Sequence, residues 1–345
     1  VDPGISVRRI ALTTIALWTI FLLVRQGNYT HLMRLTRLVL VGFLIANYVA
    51  ALGFPAFGVH QFDTQEDAGL IGAWRGVLMH KNHVGSVSAF TVVAFVFDAR
   101  RIKPALRAAI IIAAFFCLYK SMSKTSMGIL LFALVCGWIY IRYNPAYRIL
   151  LIPVFGIVGS ILYYLSIIYS EAIAAPFSDP QGFTGRVHIW RTAMRSVADH
   201  PWFGVGYGGF WNSGDHSPLY DYANDWVSLI GSAHSGYIDL MLQLGIPGTI
   251  LVVFAAVVWP LIKLLASQQI ARGSGALLLA WLLFCAGHNF TETSLFYRDE
   301  IVQVFLSLTL ALIWKETAPF VSSSRPGPVS ASSPPAPESG VPRLR

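Results

Sequence analysis

Long apolar stretches separated by short polar segments dominate this chain. A bilayer core about 30 Å thick requires roughly 20 apolar residues per helix, with a range of about 17–25. Several apolar stretches of the chain are shorter than this, and we expect flanking residues to complete them. The candidate spans, with edges defined to about four residues, are 9–24, 37–56, 84–99, 105–119, 126–141, 149–169, 248–265, 275–290 and 301–315. The pattern predicts an all-α, polytopic integral membrane protein with about 9–10 transmembrane helices.

The composition agrees with a membrane protein and narrows its chemistry. The chain is 55% hydrophobic and only 12% charged, whereas soluble domains carry about 25% charged residues. The net charge is +8. In membrane proteins an excess of basic residues lies mostly in cytoplasmic loops, where it sets the orientation of the chain. The charge therefore does not indicate binding to nucleic acid, and we expect no nucleic acid as a partner. The cysteines (Cys117, Cys136, Cys285) all lie in apolar stretches, without metal or disulfide spacing. We therefore expect no metal and no cofactor.

One long polar interruption, from Ser170 to Ser235, divides the chain. After it, an apolar helix over 235–246 is broken from the next span by Gly245-Ile246-Pro247-Gly248, which predicts a kink or re-entrant turn. From Pro319 onward the chain is rich in Ser and Pro, which predicts a disordered tail. The expected organisation is N-terminal helices (1–169), a large loop with short helices (170–247), C-terminal helices (248–316) and a cytoplasmic tail (317–345).

Basic residues occur in alternate loops and predict the orientation. The positive-inside rule places four basic groups in the cytoplasm: Arg25, Arg34 and Arg37; Arg100, Arg101, Lys103 and Arg107; Arg142 and Arg148; Lys263 and Arg272. Loops 57–83, 120–125, 170–234 and 291–300 then face outward. Arg8 and Arg9 conflict mildly, because they would lie outside. A helix preceding the chain, or a different first hairpin, would remove the conflict.

Four polar clusters fall on the outward side. They are Trp74–Gly76 with His80–His83, Lys120–Ser126, the large loop, and His288–Ser294. Each adjoins the end of a span, so we expect their side chains to converge on a cavity at the outer interface. Interfacial anchoring by snorkelling is the simpler alternative for any one lysine. Polar groups at membrane depth are costly, and four clusters on one side favour a functional site.

Within the large loop, 185–197 has the period of an amphipathic helix. Arg186 falls on the face that also carries Trp190, Met194 and Val197. An arginine near a helix N-terminus suits bidentate phosphate binding. Arg191 and Arg195 fall on the opposite face with His188. Solvent or lipid headgroups are the simpler partners for those two, and Arg191 is kept as a candidate for substrate binding.

The rest of the loop contains dense glycine and one well-placed histidine. Residues 204–209 match no nucleotide-binding fingerprint, so we expect them to form tight turns. His234 precedes the apolar helix, with Ser232 as a possible cap. The helix dipole there disfavours imidazolium, and a neutral imidazole is what a general base requires. The alternative is an interfacial histidine that only hydrogen-bonds the loop.

The order of these motifs resembles a known family. It comprises Ser121-x-Ser123-Lys124-Thr125-Ser126, Thr184-Gly185-Arg186-x₃-Trp190, Pro201-x-x-Gly204-x-Gly206-x-Gly208, and Ala233-His234-x-x-Tyr237 followed by Gly245–Gly248. From about residue 70 to 300 the chain is similar to the O-antigen ligase and polysaccharide polymerase family of bacterial inner membranes. The block Trp74–Gly85 and the late Glu292 add to the resemblance, which leans towards the exopolysaccharide polymerases.

This resemblance implies a type C-like glycosyltransferase architecture with its catalytic loop outside the cytoplasmic membrane. It implies an undecaprenyl-diphosphate-linked oligosaccharide donor, a glycan acceptor, and metal-independent inverting transfer, with flippase and chain-length regulator proteins as further partners. By motif, His234 becomes the base, and Arg186 and Lys124 become diphosphate ligands. Lys81, Arg191 and Glu292 become substrate contacts. Lys124 stands where the family commonly has arginine, and Ser235 where asparagine is frequent, so the diphosphate contact and the hydrogen bonding beside His234 are altered.

Alternatives remain open at this stage. A ligase would transfer finished glycan to lipid A-core or protein, and the sequence does not separate it from a polymerase. A flippase or transporter is expected to carry charges mid-span and paired helix breaks, whereas these spans are nearly free of charge. A structural subunit of an export complex would not require the full set of motifs.

Overall fold

The computed structural model of the chain describes residues 3–61, 70–153, 186–214, 217–223, 225–297 and 299–318. Most of the predicted span 149–169, the pair Thr184 and Gly185, and the predicted disordered tail lie outside the described residues.

Helices account for the described architecture, which confirms the all-α prediction. They are α1 (Pro3–Gln26), α2 (Tyr29–Gly53), α3 (Lys81–Val96), α4 (Pro104–Lys120), α5 (Lys124–Arg142), α6 (Arg186–Asp199), α7 (Gly236–Val253), α8 (Trp259–Ala266), α9 (Arg272–His288) and α10 (Ile301–Glu316). Short helical turns cover Pro55–Gly58, Gly76–Leu78, Pro145–Leu150, Leu219–Tyr222 and Trp226–Leu229. In the described ranges, β pairing is limited to one bridge between Val59 and Trp74.

Several helices have the length and composition of membrane spans. Within the described residues, four are long and apolar enough to cross a bilayer: Ser6–Gln26, Tyr29–Gly53, Lys124–Arg142 and Gly236–Ala266. The predicted spans 84–99, 105–119, 275–290 and 301–315 form helices of 16 or 17 residues, at or just below the lower end of the range of about 17–25. The chain is therefore a polytopic membrane protein.

The core of the bundle is built around α3 and α9. Both are buried along nearly their whole length, which explains why their sequences are apolar on every face. At the centre, the rings of Phe90 and Phe305 stack with centroids 4.1 Å apart, and Trp281 donates its indole N–H to the Phe90 carbonyl at 3.3 Å. Exposed apolar side chains on α1, α2 and α5 form the surface available to lipid.

The first interhelical loop is shorter than the sequence pattern predicted. We placed the second span at 37–56 and assigned Arg34 and Arg37 to a loop, but α2 already begins at Tyr29. The side chain of Asn28 accepts the Thr30 N–H at 2.9 Å and so caps the helix. Arg34 and Arg37 therefore lie within α2, because a capped helix can extend beyond its apolar segment.

The predicted break near Gly245 is confirmed. Gly245 has φ 69° and ψ −178° between the two helical halves of α7, and the helix continues through a π turn (Phe254–Val258) into α8. The segment 201–205 is bonded to this break: Ile246 donates to the Pro201 carbonyl, and Val205 donates to the Leu242 carbonyl, both at 2.8 Å. A Cβ on Gly245 would lie 2.4 Å from the Trp202 carbonyl, so this contact requires glycine.

Candidate active site

Glu292, in the loop between α9 and α10, lies at the centre of a polar cluster. Its Oε1 accepts hydrogen bonds from Asn82 Nδ2 and from Arg186 Nη2, each at 2.6 Å. Its Oε2 lies 3.9 Å from His234 Nδ1. The side chain of Glu292 is only 11% exposed. The carboxylate therefore joins the start of α3, the start of α6 and the segment before α7.

The conformation of this loop is determined by Asn289. Its side-chain carbonyl accepts the N–H groups of Ser294 and Leu295, each at 2.9 Å. Gly236 donates its N–H to the carbonyls of Asn289 and Glu292 at 2.9 and 3.1 Å. A Cβ on Gly236 would lie 2.2 Å from Asn289 Oδ1. The first residue of α7 is thus held directly against the loop that presents Glu292.

Helix α6 contacts the cluster through two side chains one turn apart. Arg186 also donates through Nη1 to the Thr291 carbonyl, and Trp190 donates its indole N–H to the Ala233 carbonyl at 2.9 Å. The hydroxyls of Thr125 and Thr291 hydrogen-bond at 2.9 Å, which adds the start of α5. All four predicted outward clusters therefore contribute to one site.

The inward face of α6 differs slightly from the predicted one. Arg186, Trp190 and Val197 are wholly or partly buried, but Met194 is 42% exposed. The buried stripe instead follows Ile189, Ala193 and Val197 at i, i+4 spacing, because the small Ala193 allows close approach. Including Met194 in the packed face was wrong, and the exposed position of Arg191 and Arg195 agrees with the prediction.

Asp239 is a site residue that the sequence analysis did not identify. It is fully buried on α7. Its Oδ1 accepts from Trp211 Nε1 at 2.6 Å and from the Ala233 N–H at 3.2 Å, and its Oδ2 accepts from the Thr293 hydroxyl at 2.5 Å. It therefore connects the glycine-rich segment, the residue before His234 and the residue after Glu292. An acidic residue in an otherwise apolar helix was the signal that could have found it.

The cluster keeps Glu292 ionised. Burial alone would raise the pKa of Glu292, but the neighbouring His234, Arg186 and His288 outweigh burial and lower the pKa to about 2. His80, at the N-cap of α3, has its pKa lowered to about 4 by burial and by the nearby His83. The site at neutral pH thus contains a fixed carboxylate beside a neutral His80.

The backbone at His234 adopts the left-handed region, with φ 49°, and its side chain is 35% exposed. Ser235 occupies the N-cap position of α7, with φ −154°, and its hydroxyl donates to the Asn289 carbonyl at 3.5 Å instead of capping the helix. Predicting Ser232 as the cap was wrong, because the Ser232 hydroxyl instead accepts the N–H of His234 at 3.4 Å. A non-glycine residue at positive φ costs energy, and such strain concentrates at functional sites.

The remaining predicted site residues lie at different distances from the cluster. Lys81 is the first residue of α3, next to Asn82, and Lys124 is the first residue of α5, next to Thr125. Lys81 is partly buried and Lys124 is exposed. Arg191 lies on the exposed face of α6. The structure thus joins Arg186, Glu292 and His234 directly and places both lysines beside residues that bind the same loop.

The fold and this cluster define a class: an all-helical membrane protein with a polar centre where helix ends converge. Residues 108–253 match the sequence model of the family described as O-Antigen ligase (Wzy_C). The match covers less than half of the chain and includes Arg186 and His234. It confirms the family resemblance and points to glycosyltransferase-like ligase or polymerase activity in surface polysaccharide synthesis. A search of curated proteins finds no match.

Proposed function

We propose that this protein polymerises oligosaccharide repeat units linked to undecaprenyl diphosphate, with its active site on the extracytoplasmic face of the bacterial cytoplasmic membrane. The observation that carries the proposal is the contact of Arg186 and His234 with the buried carboxylate of Glu292. These residues come from separate segments of the chain and belong to the motifs that resemble the polymerase and ligase family.

His234 is the proposed general base. The carboxylate of Glu292 faces His234 Nδ1, so it can orient the imidazole and stabilise the imidazolium formed when His234 accepts a proton. This contact counteracts the dipole of α7, which opposes a positive charge at that end. The acceptor hydroxyl loses its proton to His234 and its oxygen bonds to the anomeric carbon. The bond from that carbon to the diphosphate breaks with its electron pair on the leaving oxygen, and the configuration inverts.

Arg186 is the proposed primary contact for the diphosphate. Guanidinium has five N–H donors. Two of its nitrogens donate to Glu292 and to the Thr291 carbonyl, and these bonds fix its plane while further N–H groups serve the ligand. Lys124 and Lys81, at the first turns of α5 and α3, supply additional positive charge close to helix N-termini. Cations held in this way stabilise the charge that develops on the leaving diphosphate.

A ligase that transfers finished glycan to lipid A-core or protein is the second candidate. The description of the matching family as O-Antigen ligase favours it. Both candidates use the same donor and base and differ in the acceptor. In either case the proposed partners are the lipid-linked donor, a glycan or lipid acceptor, membrane lipids, and flippase and chain-length regulator proteins.

Complementation of a polymerase-null strain tests the proposal. We expect wild type to restore long glycan chains, whereas His234→Ala and Arg186→Ala give single repeat units at normal protein level. Loss of a general base typically slows transfer by about 10²–10⁴-fold. The matched controls are His31→Ala and Arg195→Ala, both at exposed positions, and these should polymerise like wild type.

Glycan length and lipid linkage, read on gels and by mild acid release, separate the outcomes. Long glycan that stays lipid-linked unless wild type is present would identify a ligase. Full polymerisation by both site variants would show that this cluster does not take part in catalysis.

A further inference from the structure

A cavity of about 190 Å³ lies between the start of α1, the glycine-rich segment and the residues Phe296, Tyr297 and Asp299. Its lining includes aromatic rings and polar groups: Arg9, Thr13, Tyr207, Trp211, Gln243 and Tyr297. The polymerisation mechanism proposed above uses none of them. The cavity is smaller than the roughly 300–1,000 Å³ of a site for a drug-sized ligand, so it suits a single small polar group such as one sugar ring.

The cavity shares a wall with the catalytic cluster. The indole of Trp211 lines the cavity, and its N–H donates to Asp239 at 2.6 Å. Asp239 in turn accepts from the N–H of Ala233, beside His234, and from the hydroxyl of Thr293, beside Glu292. A ligand in the cavity would therefore be connected, through Trp211 and Asp239, to the segments that present the proposed base and its carboxylate.

Arg9 forms one side of the cavity through specific contacts. Its guanidinium donates to the carbonyls of Gly208 and Asn212, the second at 3.3 Å. A Cβ on Gly208, which has φ 66°, would lie 2.4 Å from Arg9 Cδ, so glycine is required for this approach. The positive-inside rule conflicts with an outward position of Arg9. These contacts explain that position, because the guanidinium is needed to bind the two carbonyls.

The polar lining is preorganised. Tyr207 donates its hydroxyl to the Phe296 carbonyl and lies 3.0 Å from the Thr13 hydroxyl. Gln243 accepts the Gly208 N–H at 2.8 Å. Phe296 and Asn212 have φ of 61° and 50°, and both line the cavity. Non-glycine residues at positive φ cluster at ligand sites.

The charges of the lining identify the class of ligand. Among the described lining residues, one carries a positive side chain, Arg9, and one carries a negative side chain, Asp299, so these residues offer no excess of positive charge for a diphosphate. Hydroxyl, amide and charged groups supply both donors and acceptors, and Tyr207, Trp211 and Tyr297 supply rings on which a sugar can pack. We propose that this cavity is a saccharide subsite that binds a sugar residue of the glycan while the neighbouring residue reacts. This inference rests on the proposed function.

Binding can be measured without turnover. The purified His234→Ala protein in lipid nanodiscs serves as host, so the result does not depend on catalysis. The probe is the repeat-unit oligosaccharide released by mild acid from the lipid-linked intermediate of the same strain. Saturation-transfer NMR reports contact, and a titration gives Kd. We expect Thr13→Val and Asp299→Asn to raise Kd about tenfold or more, whereas Thr36→Val and Asp221→Asn, outside the cavity, leave it unchanged.

Each outcome decides the proposal. Absence of binding at millimolar oligosaccharide would overturn it, and so would binding that both cavity variants leave unchanged. Competition by inorganic pyrophosphate that Asp299→Asn strengthens would make the cavity an anion site and equally reject a saccharide subsite. If the oligosaccharide binds as expected but His234→Ala still polymerises in cells, the subsite stands and the proposed base fails.

Discussion

At the scale of the residue, Glu292 joins three separate segments of the site. Its carboxylate accepts hydrogen bonds from Asn82 and Arg186 and faces His234. A buried charge of this kind is tolerated because several donors surround it. Arg186 and Glu292 hold each other, so the arginine that would bind the diphosphate and the carboxylate that would orient the base form one unit. Substituting either residue should disturb both functions.

The ionisation of Glu292 predicts acid-sensitive stability. Its folded pKa of about 2 lies below the ordinary value of about 4.3, so the folded state binds fewer protons. The stabilisation is complete above the ordinary pKa and is lost as pH falls towards about 2. We expect Glu292→Gln to unfold more easily at neutral pH, by on the order of 1–3 kcal/mol, and to lose less stability than wild type on acidification.

Thermal unfolding in detergent between pH 7 and pH 3, followed by tryptophan fluorescence, measures this difference. Asp221→Asn, at an exposed position, is the control and should show the pH dependence of wild type. Parallel pH profiles for wild type and Glu292→Gln would contradict the assignment of Glu292 as a depressed, paired carboxylate.

At the scale of the element, the break in α7 positions the glycine-rich segment. The Pro201 carbonyl accepts the N–H of Ile246, and Gly208 donates to Gln243. Both contacts lie near Gly245, where the chain leaves helical geometry. The kink thus frees the Ile246 N–H, which an uninterrupted helix would use internally. This backbone group and the side chain of Gln243 hold the segment that carries Trp211.

Gly245→Ala should destabilise the protein and loosen this segment. Alanine would be strained at φ 69°, and its Cβ would lie 2.4 Å from the Trp202 carbonyl. Strain of this kind costs about 1–3 kcal/mol. We expect a lower unfolding temperature and faster proteolysis within 201–214. The control is Gly128→Ala on α5, where a Cβ meets nothing within 4 Å and alanine favours the helix. Equal stability of the two variants would show that the contact at Gly245 contributes little.

At the scale of the whole molecule, the charge pattern predicts which ends of the helices face each side. Lys103 is the N-cap residue of α4, at the end of the helix that we expect in the cytoplasm. Leu229 is 85% exposed and lies in the segment that we expect outside. The cysteines in the described residues are all buried, so they should not react with an impermeant maleimide. A single cysteine introduced into the otherwise native chain therefore reports on which side of the membrane its position lies.

We expect Leu229→Cys to be labelled in intact spheroplasts and Lys103→Cys only after the membrane is permeabilised. The wild-type chain, with its buried thiols, gives the background. Labelling of Lys103→Cys in intact spheroplasts would invert the topology and place the catalytic cluster on the cytoplasmic side, where the proposed donor orientation fails.

The sequence by itself located most of the described helices and proposed several residues of the site, but not Asp239. Apolar length is a local property, so stretches such as 126–141 located α5, and proline with glycine located the break in α7. The motifs identified Arg186 and His234, because their residue types and spacing are legible along the chain. The apolar pattern misplaced the start of α2, because the helix begins at Tyr29, after the Asn28 cap, and not at the first apolar stretch.

Only the tertiary structure decided which of these residues meet. The contacts of Glu292 with Asn82 and Arg186 join positions 210 and 106 residues apart, and no periodicity encodes such pairings. The same holds for Asp239, which links three loops, and for Arg9, whose partners lie about 200 residues away. Buried polar groups must form hydrogen bonds. Their partners are the donors and acceptors that the packed helices bring close, so the pairings depend on the fold of the whole molecule.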